Sequence, residues 1–376
     1  MKVAIFGKTN VGKSTLFKAL TLKEVEIADR PFTTISPNFG VGYVTVPCPE
    51  KEFGVKCNPK NAPCKDGIRY VPVEIIDVAG LIKGAAQGRG LGNKFLTDAA
   101  SANIMIEVID ASGRTDENGN PTEGYDPLKD VELVKNELTE WLKSIILRSN
   151  LREGLEEGIS KQLSGIQISK EQIKQAIKDL DIKKLDENSA NLLAEYILSH
   201  YKKIVIAINK SDLVKDPEEI AKRVKALGYE SVICSAEIML MLREAESKGY
   251  ISIDKENNIK ILKKLSSQQL SAIELGSQFL KKYGDCLSNL MNKTVIEVYH
   301  GKVVFPVEDE NKLTDSNGNV LPDAYVMDPD STLYDLALKI HSDIASNLKL
   351  GIDCKTKMKI GKEEKLKHLQ VIKLVA

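Results

Sequence analysis

Gly7-Lys8-Thr9-Asn10-Val11-Gly12-Lys13-Ser14 follows the apolar run Val3-Ala4-Ile5-Phe6 and leads straight into Thr15-Leu16-Phe17-Lys18-Ala19-Leu20. The order is strand, tight loop, helix, and the spacing GxxxxGK[ST] is that of a phosphate-binding loop in its proper setting. Gly7 and Gly12 let the backbone curl until successive N–H groups point at one anion, and the helix that follows adds its positive end. Asn10, Val11, Gly12, Lys13, Ser14 and Thr15 are therefore the candidate phosphate ligands. Lys13 reaches the β- and γ-phosphates, and the Ser14 hydroxyl is placed to ligate Mg²⁺. The alternative, an ordinary glycine turn before a helix, is weighed down by the apolar strand before the loop and the helix after it.

The chain has 376 residues, with 53 basic and 53 acidic side chains. No whole-molecule field draws it to nucleic acid or membrane, so such binding needs local patches. No apolar run approaches the roughly 18 residues of a membrane span, and a soluble cytoplasmic protein is expected. Cys48, Cys57 and Cys64 share a Pro- and Lys-rich loop. With no fourth ligand in view, this stretch reads as a reduced surface loop ahead of a metal site or a redox pair. Cys234, Cys286 and Cys354 sit in apolar patterns and read as packing residues.

Beyond the first helix, residues 28–38 are polar and Pro-bounded, and a threonine there, Thr34, is placed to close over Mg²⁺ and the γ-phosphate. Residues 40–46 then alternate like a strand. Val71-Pro72-Val73-Glu74-Ile75-Ile76 ends in Asp77-Val78-Ala79-Gly80. An Asp at the carboxyl end of a buried parallel strand lies beside the phosphate loop, where it can hold a Mg²⁺ water, and the Gly80 N–H can meet the γ-phosphate. Residues 80–92 are rich in glycine, and order there is expected to depend on the nucleotide. A helix from Asn93 and a strand Ile104–Asp110 continue the β/α alternation.

The base is read farther along. Lys203-Ile204-Val205-Ile206-Ala207-Ile208 ends in Asn209-Lys210-Ser211-Asp212. Guanine presents two donors, N1–H and its amine, and a fixed carboxylate such as Asp212 accepts both. Adenine would leave that carboxylate unsatisfied, a discrimination of about 10⁴-fold where buried polar groups go unpaired. Asn209 can bridge the base and the phosphate loop, the Lys210 stem can lie along the ring, and the amides of Ser235-Ala236-Glu237 can donate to guanine O6.

Together GKTNVGKS, PFTT, DVAGL, NKSD and SAE resemble the P-loop GTPases of the translation-factor class. PFTTxxPN and GLIKGAAQGRGLGNKFL resemble the Obg-related branch. The tail, with Asp323-Ala324-Tyr325-Val326-Met327, Asp330–Ala337 and Ile340-His341-Ser342-Asp343, resembles a TGS domain, a small β-grasp module. The combination is similar to the YchF group in its archaeal form.

The resemblance implies an α/β fold: a doubly wound, mostly parallel P-loop NTPase sheet with a helical insertion and a C-terminal β-grasp domain. It also implies a Mg²⁺-dependent GTPase acting as a ribosome-associated switch, monomeric, with Lys13, Thr34 and Gly80 catalytic and Ser14, Thr34 and Asp77 at the metal. Asn10 resembles the loop Asn of K⁺-dependent GTPases. Two departures matter. Asp212 stands where the bacterial and eukaryotic group has Glu, which argues for GTP over ATP, and Leu81 stands where Ras-like enzymes have Gln, so turnover without a partner is expected to be slow. The alternatives are a YchF-type ATPase and a non-catalytic guanine-nucleotide sensor or RNA adaptor.

The expected organisation is a nucleotide domain over 1–129 and 202–240, a helical insertion over 130–201, a helical connector over 241–292 and a TGS-like domain over 293–376. Val134, Leu138, Trp141, Leu142 and Ile145 form one helical stripe, and Ile173, Ala176, Ile177 and Leu180 form another after a Ser169/Gln172 capping box; both read as mutual packing. A connector helix led by Ser266 and Gln269 carries Leu270, Ile273 and Leu280, and a tail helix is expected from Thr332 to Leu348. The last segment carries Lys349, Lys355, Lys357, Lys359, Lys362, Lys365, Lys367 and Lys373, a solvated face that on such a module can also touch ribosomal RNA phosphate. The four histidines show no metal or general-base spacing.

Overall fold

The computed structural model describes residues 1–21, 39–78 and 97–376. The largest sheet contains β1 (Lys2–Phe6), β2 (Phe39–Pro47), β3 (Cys64–Lys65), β4 (Ile68–Asp77), β5 (Ile104–Asp110), β6 (Ile204–Asn209) and β7 (Glu230–Ile233). Its order is β2-β4-β1-β5-β6-β7, with β3 on β4. β4, β1, β5, β6 and β7 run parallel, and β2 and β3 pair antiparallel with β4. β5 and β6 are buried along their whole length, so their apolar runs do not alternate with polar residues.

Side chains of a strand point alternately to the two faces, and the core divides accordingly. Val3, Ile5, Ile106 and Val108 pack with Leu16 and Ala19 of α1 (Lys13–Thr21) and with Met239 and Leu242 of the helix Ala236–Ser247. Ala4, Phe6, Met105, Ile109 and Ile206 pack with the helices inserted between β5 and β6. Those helices span Leu128–Ile146, Leu155–Leu163, Lys170–Asp179 and Glu187–His200. Val134, Leu138, Trp141 and Leu142 lie in that same core, as do Ile173, Ala176 and Ile177, with Ile145 and Leu180 at its margin. The two stripes face this shared core, each packing against the helices Leu155–Leu163 and Glu187–His200, and Ser169 and Gln172 exchange both bonds of their capping box.

The connector departs from an all-helical reading. β8 (Ile251–Ile253) and β9 (Ile259–Ile261) form a hairpin before the helix Ser267–Tyr283, which the Ser266/Gln269 box caps and Gly284 ends. Ile273 and Leu280 are buried, but Leu270 is 44% exposed, because it lies in the first turn before the helix reaches its packing partner.

A second sheet, in the order β11-β10-β14-β12-β13, contains β10 (Lys302–Val307), β11 (Tyr325–Met327), β12 (Leu350–Asp353), β13 (Lys359–Ile360) and β14 (Gln370–Val375). Val303, Phe305 and Val307 turn into the core they share with the first sheet, while Val304 and Ile372 meet Leu333, Leu336 and Ala337. The single helix expected from Thr332 to Leu348 is two, Leu333–Ile340 and Ser342–Asn347. His341 is extended between them (φ −164°, ψ 141°), and its Nδ1 accepts the Asp343 amide, so it caps the second helix instead of continuing the first. Cys234, Cys286 and Cys354 are buried. No helix among the described residues is long and apolar enough to cross a membrane.

Candidate functional site

The sheet brings the four described motifs to one edge. The phosphate loop leaves β1, Asp77 ends β4, Asn209 ends β6, and Ser235 lies just past β7. These are the carboxyl ends of neighbouring parallel strands, where ligands of such sheets bind. Thr34, Gly80, Leu81, the segment 28–38 and the glycine-rich run 80–92 lie outside the described residues, and the helix read from Asn93 is described only over 97–100.

Two loop glycines have backbone conformations that side chains resist. At Gly7 (φ +144°) a Cβ would stand 2.5 Å from the Val108 carbonyl oxygen, and at Gly12 (φ +94°) one would stand 2.3 Å from the Asn209 amide nitrogen. Asn10 is left-handed too (φ 63°), and its Nδ2 donates to the Gly119 carbonyl at 2.9 Å. α1 starts at Lys13, and the Leu16 amide makes the first bond back to the loop, to Gly12 O at 2.9 Å. The amides ahead of it lack helical acceptors and form the positive end of the helix.

Lys13 is buried, and its ammonium donates to the Lys8 carbonyl at 2.6 Å. Burial lowers its pKa to about 8, against the opposing pull of Asp77. Ser14 Oγ donates to Asp77 Oδ2 at 3.5 Å, and burial raises the Asp77 carboxyl, with Lys13 and Ser14 working the other way. The pocket therefore gathers a cation, a hydroxyl and a carboxylate around a position that suits a phosphate with a hard divalent ion.

Asn209 joins the two halves. Its Nδ2 donates to Val11 O at 2.8 Å, and its Oδ1 accepts the Ala236 amide at 2.9 Å. Ser235 caps its helix by accepting the Ile238 amide, and the Ser211 amide donates to Cys234 O at 3.1 Å, locking the turn after β6 to the end of β7. Lys210, left-handed at φ 59°, donates to Asn10 O and Asp110 Oδ2, each at 2.8 Å. Asp212 is exposed in the short turn Ser211–Leu213, and it lines one open hollow of about 540 Å³ with Glu237.

Several residues of this site carry no motif. Lys8 is 3% exposed, paired with Asp130 at 2.9 Å, donates to Thr115 O at 2.8 Å and lies 4.0 Å from the Tyr125 ring centre. It thereby ties the phosphate loop to the first inserted helix. Asp110 accepts Lys210, Thr115 and Ser112; burial alone would raise its carboxyl, but these bonds hold it below the usual range. Thr9 Oγ1 donates to Asn118 O at 3.1 Å, so the turn 116–120 lies against the phosphate loop. An Asp closing the buried run Ile104–Ile109 was the available signal for Asp110, whereas Lys8 and Asp130, far apart in the chain, offered none.

Among the candidate lysines of the tail, Lys355 pairs with Glu52, Lys365 with Asp330 and Lys373 with Glu310, while Lys357 donates to the Glu310 carbonyl.

Known proteins bear on the arrangement. Residues 2–150 match the family model described as 50S ribosome-binding GTPase, and residues 207–309 match the Obg-like GTPase YGR210-like, G4 motif-containing domain. An uncharacterised GTP-binding protein of Methanocaldococcus jannaschii is 45% identical, covering 100% of this chain and 98% of its own. A Mycoplasma genitalium protein named ribosome-binding ATPase YchF is 31% identical over 66% of this chain and 67% of its own. The crystal structure of a GTP binding protein from Pyrococcus horikoshii superposes with a TM-score of 0.78 at 28% identity, covering 100% of both chains.

Proposed function

The chain belongs to the Obg-like, YchF-type P-loop GTPases, and we propose that it holds GTP or GDP between the phosphate loop and Asp212 and hydrolyses GTP to GDP and phosphate. One observation carries this reading: the Asn209 amide bonds Val11 on one side and Ala236 on the other, making the phosphate-reading and base-reading segments a single unit. In this proposal the amides of Asn10, Val11, Gly12, Lys13, Ser14 and Thr15 surround the phosphates, and the Lys13 ammonium turns from the Lys8 carbonyl toward the β- and γ-oxygens. Asp212 accepts the two donors of guanine, the Lys210 stem covers a ring face, and the amides of Ser235, Ala236 and Glu237 meet O6.

Ser14 and Asp77, oxygen donors 3.5 Å apart beside Lys13, suit Mg²⁺, and Thr34 is the proposed third contributor. When bound, the ion supplies charge neutralisation at the β- and γ-phosphate oxygens. The protein supplies the rest by position. Lys13 meets the charge that develops on the transferred group, and the Gly80 amide meets the γ-phosphate. Leu81 cannot orient water, so turnover without a partner is slow. The Asn10 bond to Gly119 gives this residue a structural role beside its proposed place at K⁺.

The proposed partner is the ribosome, because the matching family model and one of the named relatives carry that description. The second sheet with its two helices is then a TGS-like module over 293–376, following a nucleotide domain (1–129 and 202–240), an insertion (130–201) and a connector (241–292), in a cytoplasmic monomer. Lys349, Lys359, Lys362 and Lys367 are its exposed candidates for RNA phosphate. ATP hydrolysis is the second reading, because a relative is named an ATPase. Single-turnover hydrolysis of GTP and ATP, with and without ribosomes and in KCl or NaCl, tests the proposal. Slow GTP turnover that ribosomes accelerate is expected. Faster ATP turnover favours the second reading, and no hydrolysis under any condition makes the protein a sensor.

A further inference from the structure

The cysteine loop lies at the far end of β2 and β4 from the phosphate loop. Cys48 follows β2, Glu50 opens α2 (Glu50–Phe53), Cys57 comes after that turn, and Cys64 begins β3. Gly54 ends α2 in a left-handed conformation (φ 65°), and its amide returns to the Glu50 carbonyl, which reverses the chain and brings Cys57 back beside Glu50. The pairing of Cys64 with Arg69 then sets the last thiol. One donor atom from each of Cys48, Glu50, Cys57 and Cys64 lies within 4.8 Å of the others.

A disulfide does not account for this cluster, and packing does not account for a carboxylate among the thiols. Cys48 is buried in the core, Cys57 and Cys64 are half-buried against it, and all three cysteines are free. The Glu50 carboxylate turns onto the Cys57 amide at 3.1 Å and the Cys64 thiol at 3.7 Å, although Lys51, Lys56 and Lys65 lie on the same loop. Zn–S and Zn–O bonds of about 2.3 and 2.1 Å place tetrahedral donors roughly 3.5–3.8 Å apart, so three sulfurs and a carboxylate oxygen within 4.8 Å of one another reach that geometry by drawing in about 1 Å. Thiolates exclude Mg²⁺ and Ca²⁺, and four protein donors leave no open position for catalysis. Three thiolates and a carboxylate around a dication leave net negative charge, beside which stand the fully buried Arg69 and the loop lysines.

We propose that Cys48, Glu50, Cys57 and Cys64 bind one structural zinc ion that fastens the second sheet to the nucleotide-binding sheet. The residues next to Cys57 make that junction. The Asn58 amide donates to Val320 O at 2.8 Å and the Lys60 amide to Pro322 O at 2.7 Å, while Asn61 exchanges two bonds with Ala324. Arg69, opposite Cys64, donates to Leu321 O at 2.8 Å. Clamping both ends of the span 57–64 fixes these contacts, so the metal orders the junction without touching the nucleotide site.

The test uses the full chain, purified under reducing conditions, stripped with a chelator and reloaded with Zn²⁺ or Co²⁺. Elemental analysis should give one zinc per chain, and Co²⁺ should give tetrahedral d–d bands together with thiolate-to-cobalt charge transfer. Cys57→Ser with Cys64→Ser should abolish both signals while GTP binding, which reports a folded nucleotide site, persists. Glu50→Gln should keep the thiolate bands and weaken affinity by at least about 10-fold, the loss that even an outer partner of a metal ligand causes. Absence of bound zinc and of the cobalt bands in the wild-type chain overturns the proposal. So do full metal retention in the double variant, or iron with inorganic sulfide in place of zinc.

Discussion

The phosphate loop gathers its donors from consecutive residues, Gly7 to Ser14, whereas the cysteine loop draws Cys48, Glu50, Cys57 and Cys64 from positions that only a helical turn and a strand pairing bring together. The first is set for a ligand by its own backbone and braced from outside by Lys8–Asp130 and Asn209. The second has side-chain donors and holds a neighbouring surface through Asn58, Lys60 and Asn61. A site built on backbone amides must spell itself out in sequence, because glycine and spacing are its chemistry. A site built on converging side chains need not.

The strongest test of the brace is Asp130→Ala, which leaves the Lys8 ammonium buried without its anion. Urea denaturation should show a loss of about 3–5 kcal/mol. A loss under about 1 kcal/mol, the size of a surface ion pair, would break the contrast between the loops. Next comes Asn209→Ala, which removes the tie to Val11 and leaves the Ala236 amide unpaired. GTP affinity should fall roughly 100-fold, the equivalent of about 2–3 kcal/mol, by equilibrium titration with a labelled nucleotide.

At the cysteine loop the effect should be confined. Cys57→Ser with Cys64→Ser should speed exchange of the Asn58, Lys60 and Ala324 amides, whose bonds across the junction are loosened, and change GTP affinity by less than about 2-fold. Equal acceleration in the phosphate loop would mean that the two regions are not independent.

The remaining prediction concerns pH. Lys13 sits at about 8 because burial opposes its charge, and a phosphate favours the charged form. Nucleotide affinity should be level between pH 7 and about 8 and decline as pH rises further, by up to about 10-fold per unit. A profile that stays flat to pH 9 would mean that the ammonium is not a phosphate ligand.

What could be read beforehand follows the same division. β1, the phosphate loop, Asp77, Asn209 and the turn after β7 were legible because strand, loop and helix follow one another without a gap and the motifs sit at strand ends. The break at His341 was not, since Leu336, Ala337, Ile340 and Ile344 keep helical spacing across it and only the side-chain cap of Asp343 shows that the chain restarts. The hairpin Ile251–Ile261 was hidden by strands of three residues each. The place of Glu50 beside the cysteines had no such signal, because an acid in a lysine-rich loop looks solvated until Gly54 turns the chain back on it.

The most direct test of the account is base preference after Asp212→Asn. An amide presents guanine with a donor where the carboxylate accepted, whereas xanthine offers a carbonyl at that position. Competition between GTP and XTP for the wild-type chain should favour GTP by orders of magnitude, and in the variant the order should reverse. A variant that still selects GTP over XTP would show that the base is read somewhere other than Asp212.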